Sequence, residues 1–85
     1  MNFYMIKAER MSNRLLDEVV TGIEDQGRGF VYGYGMDATF TGFANLLIHT
    51  TSANIDAITA MFHDQNGGAY CEATKVSQDE VAEYL

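Results

Sequence analysis

Phe30-Val31-Tyr32-Gly33-Tyr34-Gly35-Met36 and Phe43-Ala44-Asn45-Leu46-Leu47-Ile48-His49-Thr50 are two mainly apolar runs separated by a short polar stretch. Each is short and rich in aromatic or branched residues, and the stretch Asp37 to Gly42 between them carries turn residues. Such a pattern predicts two strands joined as a hairpin. Period-two alternation then sorts the side chains onto two faces. In the second run Ala44, Leu46 and Ile48 share one face and Phe43, Asn45, Leu47 and His49 the other. In the first, Val31, Gly33 and Gly35 oppose Phe30, Tyr32, Tyr34 and Met36.

Outward from the hairpin, the sequence before it holds a strand and then a helix. Asn2 to Ala8 has strand composition, with Phe3, Met5 and Lys7 on one parity and Tyr4, Ile6 and Ala8 on the other. Ser12 is placed to cap a helix whose Leu15, Leu16, Val19, Val20 and Ile23 recur at helical spacing, and Gly27 stands where such helices stop. After the hairpin, Thr51 or Ser52 caps a second helix with Ile55, Ile58, Met61 and Phe62 inward, expected to end near Asn66-Gly67-Gly68. Ala69 to Val76 reads as a fourth strand. Ser77-Gln78-Asp79-Glu80 is a capping box, so a short final helix with Val81 and Leu85 inward follows. The order β-α-β-β-α-β plus a terminal helix predicts one α+β domain over residues 1–85. Its expected architecture is ferredoxin-like, a four-stranded antiparallel sheet with two main helices on one face.

Two helices shield one side of such a sheet, yet both parities carry large apolar side chains. A half-solvated antiparallel sheet alternates apolar with polar instead. Covering about 300 Å² of apolar surface would contribute ~7 kcal/mol gross. The expectation is therefore a homo-oligomer, foremost a face-to-face dimer, using Phe30, Tyr32, Tyr34, Phe43 and Leu47. The competing expectation is that the helix after Ser77 folds back over the sheet within one chain.

Composition limits the function classes. Five Lys and Arg against twelve Asp and Glu give a net charge of −7, which disfavours direct contact with nucleic acid or an anionic membrane. The longest mainly apolar run, Phe43 to Ile48, is too short to span a bilayer. A single cysteine, Cys71, makes an intrachain disulfide impossible and fits a reducing cytoplasm, where it would act as a small hydrophobe. No metal-binding spacing connects His49, His63, Asp64 and Cys71, so neither metal nor cofactor is expected.

Three groups of residues carry possible chemistry. His49, at a strand end, could form an acid/base pair with Asp37 if both lie at one end of the hairpin, although the plainer role is to terminate the strand. Tyr32 and Tyr34 alternate with Gly33 and Gly35, which bares one strip of the strand. A neighbouring helix or backbone packing there is the ordinary explanation, and a ligand held by Tyr32, Tyr34 and His49 the functional one. Asp17, Glu18, Glu24 and Asp25 point outward from the first helix, where they serve solubility or meet a basic partner.

The element order resembles that of the dimeric α+β barrel superfamily, whose members include small monooxygenases and isomerases. That likeness implies a dimer and, as the alternative function, a small-ligand binder or enzyme. Arg28-Gly29-Phe30-Val31-Tyr32 resembles in part the first ribonucleoprotein motif of RNA-recognition domains. It departs from the motif at Val31 and Gly33 and falls on the second strand instead of the third. In size and charge the chain resembles phage-encoded inhibitors, anti-CRISPR proteins among them, which implies a basic, nucleic-acid-handling protein as partner. The expected function is accordingly a non-enzymatic interaction module.

Overall fold

The computed structural model describes residues 1–38, 42–65 and 70–84. Its elements are β1 (Asn2–Ala8), α1 (Asn13–Asp25), β2 (Phe30–Met36), β3 (Ala44–Thr50), α2 (Ser52–Gln65), β4 (Cys71–Val76) and α3 (Gln78–Tyr84). The expected helix stop at Asn66-Gly67-Gly68, the strand start at Ala69 and the inward Leu85 lie outside the described residues, as does the middle of the β2–β3 turn.

Local chemistry sets the helix ends. The Ser12 Oγ accepts the Leu15 N–H at 3.2 Å, which satisfies one of the first-turn donors of α1. At the other end Gly27 adopts φ 65°, while the Gly27 N–H donates to the Glu24 carbonyl and the Arg28 N–H to that of Ile23. These two bonds are the Schellman stop, and glycine accepts the required left-handed conformation without a Cβ penalty. Thr51 caps α2 through Oγ1, which accepts the Asn54 N–H at 3.2 Å. Before α3 the Glu80 N–H donates to Ser77 Oγ at 3.3 Å, and the Ser77 N–H donates to Glu80 Oε1 at 3.2 Å, closing the capping box.

The four strands form one sheet in the order β2-β3-β1-β4, with every neighbouring pair antiparallel. The main core lies between the sheet and the first two helices. Leu16, Val19, Val20 and Ile23 of α1 and Ile55, Ile58 and Phe62 of α2 bury against Tyr4, Ile6 and Ala8 of β1 and Ala44, Leu46 and Ile48 of β3. Thr50 continues this face of β3 and is fully buried, its hydroxyl donating to the Arg28 carbonyl.

One feature departs from the sequence expectation, and a second follows the alternative in which the last helix covers the sheet. First, strict alternation fails in β2. Val31 pairs with Ile48 but Gly33 pairs with Leu47, which leaves Tyr32 as the extra residue of a β-bulge. Past the bulge the faces exchange. Phe30 and Tyr32 lie on the face away from α1 and α2, whereas Tyr34 and Met36 stand opposite Leu46 and Ala44 on the helix side. Tyr34 therefore does not share a face with Phe30 and Tyr32, and it is Gly33 and Gly35 that lie on the open face.

Second, α3 packs on that open face. Val81 buries against Leu47 and Val76, with Phe3 and Met5 beside them. Leu47 is only 2% exposed in the single chain, so it is not available to a second copy as the sequence led us to expect. Three of the five expected interface side chains, Phe30, Tyr32 and Tyr34, stay exposed, at 60%, 44% and 50%. Among the described residues no helix is long and apolar enough to cross a membrane.

Candidate functional site

The antiparallel pairing lays out the open face row by row. At one end lie Phe30, Tyr32, His49, Phe3 and Val76, and at the other Gly35, Asn45, Lys7 and Glu72, with Leu47, Met5 and Thr74 between. This face is thus aromatic at one end and polar at the other. A polar group costs little where water reaches it, so the polar end can stay wet, whereas exposed rings leave apolar area in water.

The aromatic end is a connected cluster. Phe3 stacks on His49 with ring centroids 4.4 Å apart and an interplanar angle of 29°. Tyr32 meets Phe3 at 5.4 Å and Phe30 at 4.9 Å, in tilted and edge-on arrangements. Such geometries add roughly 0.5–1.5 kcal/mol per pair beyond area burial and hold Tyr32 upright at the edge of the sheet. Phe3 is central here although no local pattern singles it out, because its stacking on His49 depends on the β1–β3 register.

Beside this cluster an open groove of about 420 Å³ is lined by Met5, Tyr32, Asn45, Leu46, Leu47 and the run Gly33-Tyr34-Gly35-Met36. A Cβ built on Gly33 or Gly35 meets nothing within 4 Å among the described residues. Among the described residues, then, no element is pressed against the glycine strip, and the ordinary explanation finds no support there. A second hollow, of about 600 Å³, has Lys7, Glu72, Thr74 and Glu83 of α3 in its lining.

His49 and Asp37 do not come together. His49 pairs with Phe30 at one end of the hairpin, while Asp37 sits at the other, where its N–H donates to the Phe43 carbonyl at 2.8 Å. Asn45 Nδ2 donates to Asp37 Oδ2 at 3.1 Å, and four residues of strand separate Asn45 from His49, a span of ~13 Å. The acid/base pair considered from the sequence is thereby excluded, and Asp37 instead fastens the turn. Phe43 lies outside β3, with the Lys7 ammonium 5.8 Å from its ring centroid. His63 is exposed in the last turn of α2.

Cys71 is half-buried and packs with Ala73 against the main core. Burial pushes its thiol up to about 11, so at neutral pH it is a weak nucleophile. Tyr70 donates its hydroxyl hydrogen bond to the Glu72 carboxylate, and that bond raises the phenol above its ordinary range.

All four acidic residues singled out on α1, Asp17, Glu18, Glu24 and Asp25, are exposed. Glu18 meets Arg14 at 3.4 Å one turn away, an exposed pair of little energetic weight. Residues seven apart lie ~10 Å along the axis, so the carboxylates form an extended ridge on the side of α1 away from its core stripe. Comparison with protein families, with curated proteins and with solved structures finds no match to this chain.

Proposed function

We propose that this chain is a non-enzymatic interaction module of ferredoxin-like architecture that self-associates and presents its acidic helix to a basic protein partner. The observation that carries the reading is the pair of surfaces the fold leaves uncovered. One is the exposed aromatic set Phe30, Tyr32 and Tyr34 on an edge strand, and the other is the carboxylate ridge on α1. Burial of aromatic area supplies affinity in such contacts, while charge supplies partner choice and rate. The nature of the partner follows from charge: a ridge of this sign fits the basic groove of a nucleic-acid-handling protein, in the manner of phage-encoded inhibitors. The lone thiol of Cys71 fits a reducing, cytoplasmic setting.

This reading is narrower than the sequence expectation in one respect. Because α3 covers Leu47, self-association rests on the β2 side of the open face instead of the whole of it. The test of the acidic ridge is charge reversal. Asp17→Lys, Glu24→Lys and Asp25→Lys together should abolish capture of basic proteins from lysate and leave the circular dichroism spectrum unchanged. Capture that persists in the folded variant contradicts the reading.

A second reading, a small-ligand binder of the kind found among dimeric α+β barrels, draws on the groove beside Tyr32, with Tyr34, Asn45 and His49 near it. Because His49 and Asp37 lie at opposite ends of the hairpin, this reading, whether as binder or enzyme, does not draw on them as an acid/base pair. Cofactor chemistry forms no part of either reading.

A further inference from the structure

We propose that the strip Gly33–Gly35 is a seat for a second copy of this chain, which docks along β2 and places its own Phe30 and Tyr32 rings in the groove above the glycines. The inference deepens the self-association proposed above and rests on it. It starts from a residue choice that the single chain does not explain. Glycine in a strand costs roughly 0.5–1 kcal/mol relative to alanine, because it loses more freedom on folding and offers no side chain to pack. Two things commonly justify that cost, a left-handed backbone or a close neighbour, and among the described residues neither applies. The left-handed glycines among the described residues are Gly27 and Gly42, and nothing approaches the position of a Cβ at Gly33 or Gly35. What the glycines do provide is an open groove of about 420 Å³ next to exposed aromatic rings.

The rest of β2 suits a copy of itself. Its seven residues include no charge and no proline, the devices that normally keep an edge strand from pairing, whereas the opposite edge, β4, carries Glu72 and Lys75. A chain of net charge −7 approaches its own kind most easily along an uncharged strip, and none of the twelve acidic residues lies in β2. Area supports the same occupant. The exposed portions of Phe30 and Tyr32, the two rings that share the open face with the glycines, amount to roughly 200 Å² per copy. A symmetric pair would thus bury ~400 Å² from these rings alone, about a third of what the smaller stable interfaces need, and the paired strands and groove walls supply the remainder.

Sedimentation equilibrium on the wild type and on Gly35→Val tests the proposal. Valine fits a strand, and the single chain has room for it, so the variant should fold and yet fill the groove. The expected result is a wild-type dimer whose dissociation constant rises ~10-fold or more in Gly35→Val, a change of about 1.4 kcal/mol. A wild-type dimer that Gly35→Val leaves equally tight overturns this seat but not self-association. A wild type that stays monomeric at every concentration overturns both. Should Gly35→Val fail to fold, Phe30→Ala removes an exposed ring and serves in its place. Weakening by a similar factor supports the seat, and an unchanged dimer refutes it.

Discussion

Gly29, between α1 and β2, has no room for a side chain. A Cβ there would stand 2.7 Å from Ile48 Cδ1 and 3.1 Å from Thr50 Cβ, so the end of the buried Ile48 side chain would have to turn and Thr50 to give by a few tenths of an ångström. Gly29→Ala should therefore destabilise the fold by ~1–3 kcal/mol in urea unfolding, in contrast to Gly35→Ala, which meets nothing and should be neutral or stabilising. Cys71 gives a pH prediction. Burial pushes its thiol up to about 11 from an ordinary value of 9.0, so the folded state disfavours the thiolate. Stability should be insensitive to this group below pH 9 and decline as pH rises from 9 toward 11, and Cys71→Ala should remove that decline. Alkylation by iodoacetamide should likewise accelerate through that range instead of levelling off near neutrality. At this scale the sequence was partly legible. The small-hydrophobe role of Cys71 follows from its neighbours, but the close approach at Gly29 depends on how β3 passes beneath the end of α1, and no local signal announces it.

The elements were legible wherever capping chemistry is strong. Ser12, Thr51 and Ser77 each cap as the spacing predicts, because side-chain oxygens and first-turn amides are neighbours in sequence. The β2 bulge was not legible. Its Tyr-Gly-Tyr-Gly alternation looks regular, and only pairing with β3 shows that Tyr32 is the extra residue that moves Tyr34 to the helix side. The docking of α3 lies between these cases, since the capping box marks the helix but not the face onto which it folds. Its hold on the sheet centres on Val81 against Leu47 and Val76. Val81→Ala should cost ~1–3 kcal/mol, and Val81→Asp should release α3 altogether. The release would appear as new binding of a hydrophobic dye, since Leu47, Phe3 and Met5 would lose their cover. Dye binding equal to wild type in a folded Val81→Asp chain would contradict the docking described.

On the scale of the whole molecule, two uncovered surfaces lie on different sides of one small fold: a carboxylate ridge on α1 and an aromatic strip along β2. The excess of seven negative charges makes the molecule repel itself, so its melting temperature should rise by a few degrees as salt shortens the Debye length from ~30 Å to ~8 Å. A fall in melting temperature would mean that ion pairs outweigh the repulsion. The open half of the sheet is thus proposed to have two covers, α3 over Leu47 and a second copy over β2. Hydrogen exchange of the wild-type chain at low micromolar and at submillimolar concentration tests it most directly. The account predicts that the backbone amides of Phe30–Met36 gain protection as concentration rises while those of Gln78–Tyr84 stay unchanged. Identical exchange along Phe30–Met36 at both concentrations would contradict it.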